Sequence, residues 1–172
     1  TNNLYGALEF SEKLWGMGVQ PIIGCQLAVD FGDETSPARR LTPEVHPHLV
    51  LLAMNGIGYT NLLKLVSAAA LETGGGNDSH LSWGAIASRN EGLILLTGGP
   101  GGPVDQALAQ GQAELAKARL VEIGNVFGDR AYVEIQRHGV EGEARHEAAL
   151  LGLAYELRMA IVAANEPFFA KA

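Results

Sequence analysis

Short apolar runs that end in glycine or a turn, each followed by a stretch with helical spacing, constrain this chain more than any other feature. The runs fall at residues 19–31, 48–54, 93–96, 131–135 and 160–164. Amphipathic stretches follow at 59–71, 80–88, 104–108, 113–127 and 141–158, and another at 4–17 precedes the first run. Strands that alternate with helices predict an α/β protein built on a largely parallel sheet or barrel. Continuously apolar strands such as 49–53 suit a sheet buried on both faces. The first run is long enough to continue into a hairpin. Residues 32–47, punctuated by Gly32, Pro37, Pro43 and Pro47, read as a loop, and Ser79 as the cap of a helix over 80–88.

Composition narrows the function classes. At 172 residues the chain is long enough for one domain with a full core, and 47% hydrophobic against 18% charged residues marks it as globular. A net charge of −7 argues against a nucleic-acid grip of its own. Cys25 is the sole cysteine, so a disulfide framework and a thiolate metal cage are excluded and a reducing cytoplasm fits. No apolar span has bilayer length, and none reads as a signal peptide, so no membrane partner is expected. Opening on Thr1 in what reads as a strand–helix turn, the chain is expected to be a piece of a longer protein.

Several places could carry chemistry. In parallel α/β proteins it is mounted at the carboxyl ends of strands. The first run enters Gly24-Cys25-Gln26, and Gln26 is neither carboxylate nor imidazole. The expectation is the architecture of a site with few groups able to hold a metal. Thr97-Gly98-Gly99-Pro100-Gly101-Gly102 resembles a phosphate loop but lacks the Gly-Lys-Ser/Thr ending and the GxGxxG spacing, so a plain turn is the better reading. His46 and His48 have metal-ligand spacing, yet Pro47 separates them and no nearby Cys or Asp completes a cage. His48, beside an apolar run, is the better site residue, and His46 a loop cap. Glu134, Gln136 and His138 share a strand face; they either converge at one end or form a solvated strand end with a Glu–Arg pair. Glu166, after the last strand, could act as acid, base or ligand. His80 and His146 read as surface or satisfied helical residues, and Leu62, Leu65, Leu150 and Leu153 as core.

Seven segments occur in an order that resembles a known family: Asn3-Leu4-Tyr5-Gly6-Ala7, Pro21-Ile22-Ile23-Gly24-Cys25, His48-Leu49-Val50-Leu51-Leu52-Ala53, Tyr59-Thr60-Asn61-Leu62, Glu91-Gly92-Leu93-Ile94, Glu134-Ile135-Gln136-Arg137-His138-Gly139 and Val162-Ala163-Ala164-Asn165. Together they are similar to the polymerase-and-histidinol-phosphatase (PHP) domain at the amino terminus of bacterial DNA polymerase III alpha subunits. The resemblance implies a distorted seven-stranded (β/α) barrel, incomplete here, with residues 1–172 forming a single partial domain that lacks the first β-α-β unit and the downstream polymerase domains. Intact members hold zinc or manganese at the strand ends and act as phosphoesterases or 3′–5′ exonucleases, chemistry in which metals polarise phosphate and generate hydroxide.

Carried over by position, Thr1 stands where metal-binding forms have His, Gln26 where they have Glu, and Gly99 where they have Cys. Glu166 and Phe168 stand in place of the final Asp-x-His, and His48 is kept. Gln, Thr, Gly and Phe do not replace anionic or imidazole ligands at comparable affinity. The implied function is therefore a non-catalytic module with no cofactor of its own, magnesium serving only the active site of the parent nucleotidyltransferase. The implied partners are the rest of the polymerase chain and a proofreading exonuclease subunit, with DNA reached through the parent. Two alternatives remain: a metal-dependent phosphoesterase or exonuclease using His48, Glu134, His138 and Glu166, and a phosphate-binding module at Gly98 to Gly102.

Overall fold

The computed structural model describes residues 3–32, 46–72, 79–137, 139 and 141–165, with the side chains of residue 72 and residues 141–145 left aside. Packing divides the chain into two compact units, Thr1–Leu95 and Leu96–Ala172. Throughout, strands alternate with helices, the α/β order expected from the hydrophobic pattern.

In the first unit, helix α1 (Ala7–Gly16) leads to strands β1 (Gly24–Asp30) and β2 (His48–Ala53). Helix α2 (Gly56–Glu72), strand β3 (His80–Ser82), helix α3 (Trp83–Ala87) and strand β4 (Leu93–Leu96) follow. The strands lie in the order β3-β1-β2-β4. β1 runs parallel to β3 but antiparallel to β2, with Ala28 opposite His48 on one side and His80 on the other. The period-two alternation of β1 buries Cys25, Leu27 and Val29 and leaves Gln26, Ala28 and Asp30 half-buried. α2 packs over β1, β2 and β3 through its buried Leu62, Leu65 and Ala69. Each fully buried leucine here contributes about 1.5–3 kcal/mol. Close approach at the start of α2 depends on glycine. The Met54 N–H donates to the Gly92 carbonyl at 2.9 Å, and a Cβ at Gly58 would sit 1.8 Å from that same oxygen.

The second unit opens with a single helical turn at Gly99–Gly101. Helices α4 (Pro103–Ala109) and α5 (Ala113–Phe127), strand β5 (Ala131–Ile135), helix α6 (Glu141–Glu156) and strand β6 (Ala160–Ala163) complete it. β5 and β6 run parallel, Val133 opposite Ile161. Val104, Ala107 and Leu108 of α4, Ala116 and Leu120 of α5, Val133 of β5, and Leu150 and Ala154 of α6 form its core.

Two expected elements change. The run at 19–31 becomes a strand only from Gly24, because Pro21 has no N–H to give a ladder and the Val19 N–H is spent on Leu14 at the end of α1. The expected helix over 80–88 starts as a strand: His80–Ser82 pairs with β1, and the cap is Ser82, whose Oγ accepts from the Ala85 N–H at 3.2 Å, not Ser79. Among the described residues no helix is long and apolar enough to cross a membrane.

Candidate functional site

Because the strand begins at Gly24, Gln26 is not at a carboxyl strand end as expected. It is the third residue of β1, opposite Val50. His48 opens β2, two residues from Val50, so Gln26 and His48 share the half-buried face of the sheet across neighbouring strands. His80 joins them on the far side of Ala28. The expectation of a helical His80 is thereby corrected, and its ring lies against that of His46, in the loop before β2, with centroids 4.0 Å apart and planes tilted by 30°. The signal in the sequence is faint, since a three-residue strand has no period to read. Cys25 faces the opposite, core side. Burial pushes its thiol up to about 11, so it stays protonated and unreactive.

In the second unit the site residues gather at the amino end of α4 and the carboxyl half of β5. Among the described residues, Thr97 and Glu134 are its two buried polar side chains. The Glu134 N–H donates to Thr97 Oγ1 at 2.9 Å, which ties the turn to the strand. Of the Glu134 carboxylate, Oε2 accepts from the Gly98 N–H at 3.1 Å and Oε1 from Gln136 Nε2 at 2.7 Å. Glu134 and Gln136 thus converge as one of the two readings expected, while His138 lies outside the described residues. Glu134 is neither solvated nor paired with Arg137, which instead binds Glu147 through two contacts of 2.9 and 2.6 Å. That pair holds the Glu147 carboxyl below its usual range.

Glu134 also decides what the glycine-rich turn is. An anion bound there would need the Gly98 amide, which already serves a buried carboxylate, and the Gly102 N–H donates to Gly99 within the turn at 2.8 Å. Two of the turn's N–H groups are therefore already engaged within the protein. Gly99 has a φ of +52°, and a Cβ built on it would lie 2.7 Å from Cδ of Gln136. The Gln136 amide thus fills the space into which a longer side chain at position 99 would project. Asp105, in the first turn of α4, is the anomalous group. Burial foremost, and the Glu134 charge in addition, push its carboxyl up to about 7, against a lowering hydrogen bond from its own backbone. Its Oδ2 is buried with no hydrogen-bond partner among the described residues.

Zinc or manganese would require several imidazole, thiolate or carboxylate groups around one point. Among the described residues no three such groups are arranged to hold a metal ion. Gln26 brings an amide, Gly99 brings nothing, and both Glu134 oxygens are engaged, so the described donors do not fit the metals the resemblance implies. Thr1, His138 and Glu166, with Phe168, lie outside the described residues.

The DNA polymerase III subunit alpha of Caulobacter vibrioides (strain NA1000 / CB15N) is 45% identical over 169 residues, 98% of this chain and 14% of that protein. The corresponding subunit of Thermus aquaticus is 35% identical over 170 residues, again 98% of this chain and 14% of the relative. That of Deinococcus radiodurans is 34% identical over 172 residues, 98% of this chain and 13% of the relative. The chain thus spans about 14% of the length of the curated relatives it matches. The family model of the PHP domain matches residues 1–138, and with these segments in order along an α/β fold the chain belongs to the PHP domain family.

Proposed function

We propose that this chain is the PHP module of a replicative DNA polymerase alpha subunit, and that it works without catalysis of its own, bracing the polymerase and offering a surface to a proofreading exonuclease subunit. The polymerase context rests on relatives named DNA polymerase III subunit alpha that match 98% of the chain. One observation supports the non-catalytic reading: the Gln136 amide, held by Glu134 Oε1 at 2.7 Å, lies beside position 99, and a ligand side chain there would first have to displace it. Glu134, the buried carboxylate closest to that turn, is committed to Gly98 and Gln136 and has the geometry of a brace. A packed scaffold keeps its shape after losing a metal site, because different residues carry the two. Nucleotide transfer, its magnesium and contact with DNA belong to the parent chain in this reading, and its compartment is the cytoplasm.

The test is hydrolysis by the full polymerase chain. With its nucleotidyl-transfer aspartates replaced, the polymerase supplied with zinc or manganese is expected to release nothing from DNA 3′ ends or from p-nitrophenyl phosphate esters. Metal-dependent turnover abolished by His48→Ala would instead establish a residual phosphoesterase.

A further inference from the structure

α2 has two apolar sides and only one of them is covered. Leu62, Leu65 and Ala69 face the core of the first unit. Across its 17 residues, GIGYTNLLKLVSAAALE, the helix carries a single lysine and a single glutamate. A helix apolar all round is normally buried all round. Here Leu63 is 41% exposed and Leu71 82% exposed. Leu63, Lys64, Ser67, Ala68 and Leu71 follow the three- and four-residue spacing of one helical stripe, about 12 Å long at 1.5 Å per residue. They line an open groove of about 580 Å³.

The groove has a charge that selects an occupant. Arg89, just beyond α3, reaches into it beside Lys64. The guanidinium makes two long contacts of 3.4 Å among the described residues, to the Ala85 carbonyl and Ser88 Oγ. No carboxylate is among the described residues lining the groove, although the chain as a whole is acidic at −7. Leucines, small residues and two cations lining one groove match the way an amphipathic helix is received in a groove.

We propose that this face of α2 docks an amphipathic helix of a second protein, one that sets apolar side chains against Leu63 and Leu71 and carboxylates against Lys64 and Arg89. The inference rests on the docking role proposed above and gives that role a surface. The test uses the full polymerase chain and its proofreading exonuclease subunit. Hydrogen exchange should slow across residues 59–71 when the subunit is added. The double variant Lys64→Glu, Arg89→Glu should bind it at least about tenfold more weakly, with melting temperature and primer extension unchanged. Lys64→Arg should bind as the parent does. Full-strength binding by the charge-reversed variant, with exchange in α2 unaltered, would overturn the groove and leave the docking role standing. Failure of the unaltered polymerase to bind the subunit would overturn the docking role itself. Exchange in α2 already slowed in the polymerase alone would mean that the polymerase's own chain covers the groove, and would overturn the proposal.

Discussion

Asp105 and Glu134 show how one local environment gives two carboxylates different tasks. Glu134 has an amide donor on each oxygen and so stabilises the turn it holds. Asp105 has a buried oxygen without a partner and a carboxylate neighbour, and burial raises its carboxyl from 3.8 to about 7. The folded state therefore binds that proton more tightly than the unfolded chain does. The stabilisation is complete below about pH 4 and is lost as pH rises through about 7. Asp105→Asn, which keeps the shape and removes the titration, should flatten the dependence of urea midpoint on pH between these limits and raise the midpoint at pH 8. An unchanged slope would mean that Asp105 ionises as it would in water. At this scale the sequence was only partly legible. Glu134 stood out as a polar residue in an apolar strand, but its partners Gly98 and Thr97 lie 36 and 37 residues away, and nothing local announced them. Asp105 gave no signal at all, because its shift comes from burial that only packing creates.

Among the elements, the glycines that matter are those where two backbones meet. Gly58 lies in the first turn of α2, with the Gly92 carbonyl in the space its side chain would take. Alanine is favoured over glycine in a helix by about 1 kcal/mol, yet a Cβ 1.8 Å from a carbonyl oxygen forces the helix off its seat. Gly58→Ala should lower stability by about 2–3 kcal/mol in equilibrium denaturation. Gly152→Ala, in α6 where a Cβ meets nothing within 4 Å, should raise it by about 0.5–1 kcal/mol. Equal effects at the two sites would refute the close approach. Long elements with a full period, such as α2, α5 and β5, could be read from the sequence because several turns repeat one message. The start of β1 and the short strand at His80–Ser82 could not. The first was decided by the missing N–H of Pro21 and the second by pairing with β1, a tertiary choice that three residues do not encode.

For the whole molecule, family membership was legible before the fold, because seven weak motifs in fixed order constrain far more than any one of them. The direction of β2 was not, since an antiparallel partner and a parallel one draw on the same apolar pattern. The expectation of a site poor in metal donors came from Gln26 and Gly99, where the resemblance leads one to look for Glu and Cys. What the fold adds is the neighbour of position 99: the Gln136 side chain, which would have to move for any longer side chain to stand there. The central claim is that this PHP scaffold persists for its shape and binding surfaces after losing its metal site. Its most direct test is the metal content of the full polymerase chain, purified without chelator, dialysed against zinc and manganese, and measured by inductively coupled plasma mass spectrometry. With the nucleotidyl-transfer aspartates replaced, less than one zinc or manganese ion per chain should remain after gel filtration. Two or three retained ions, lost together on His48→Ala, would contradict the account.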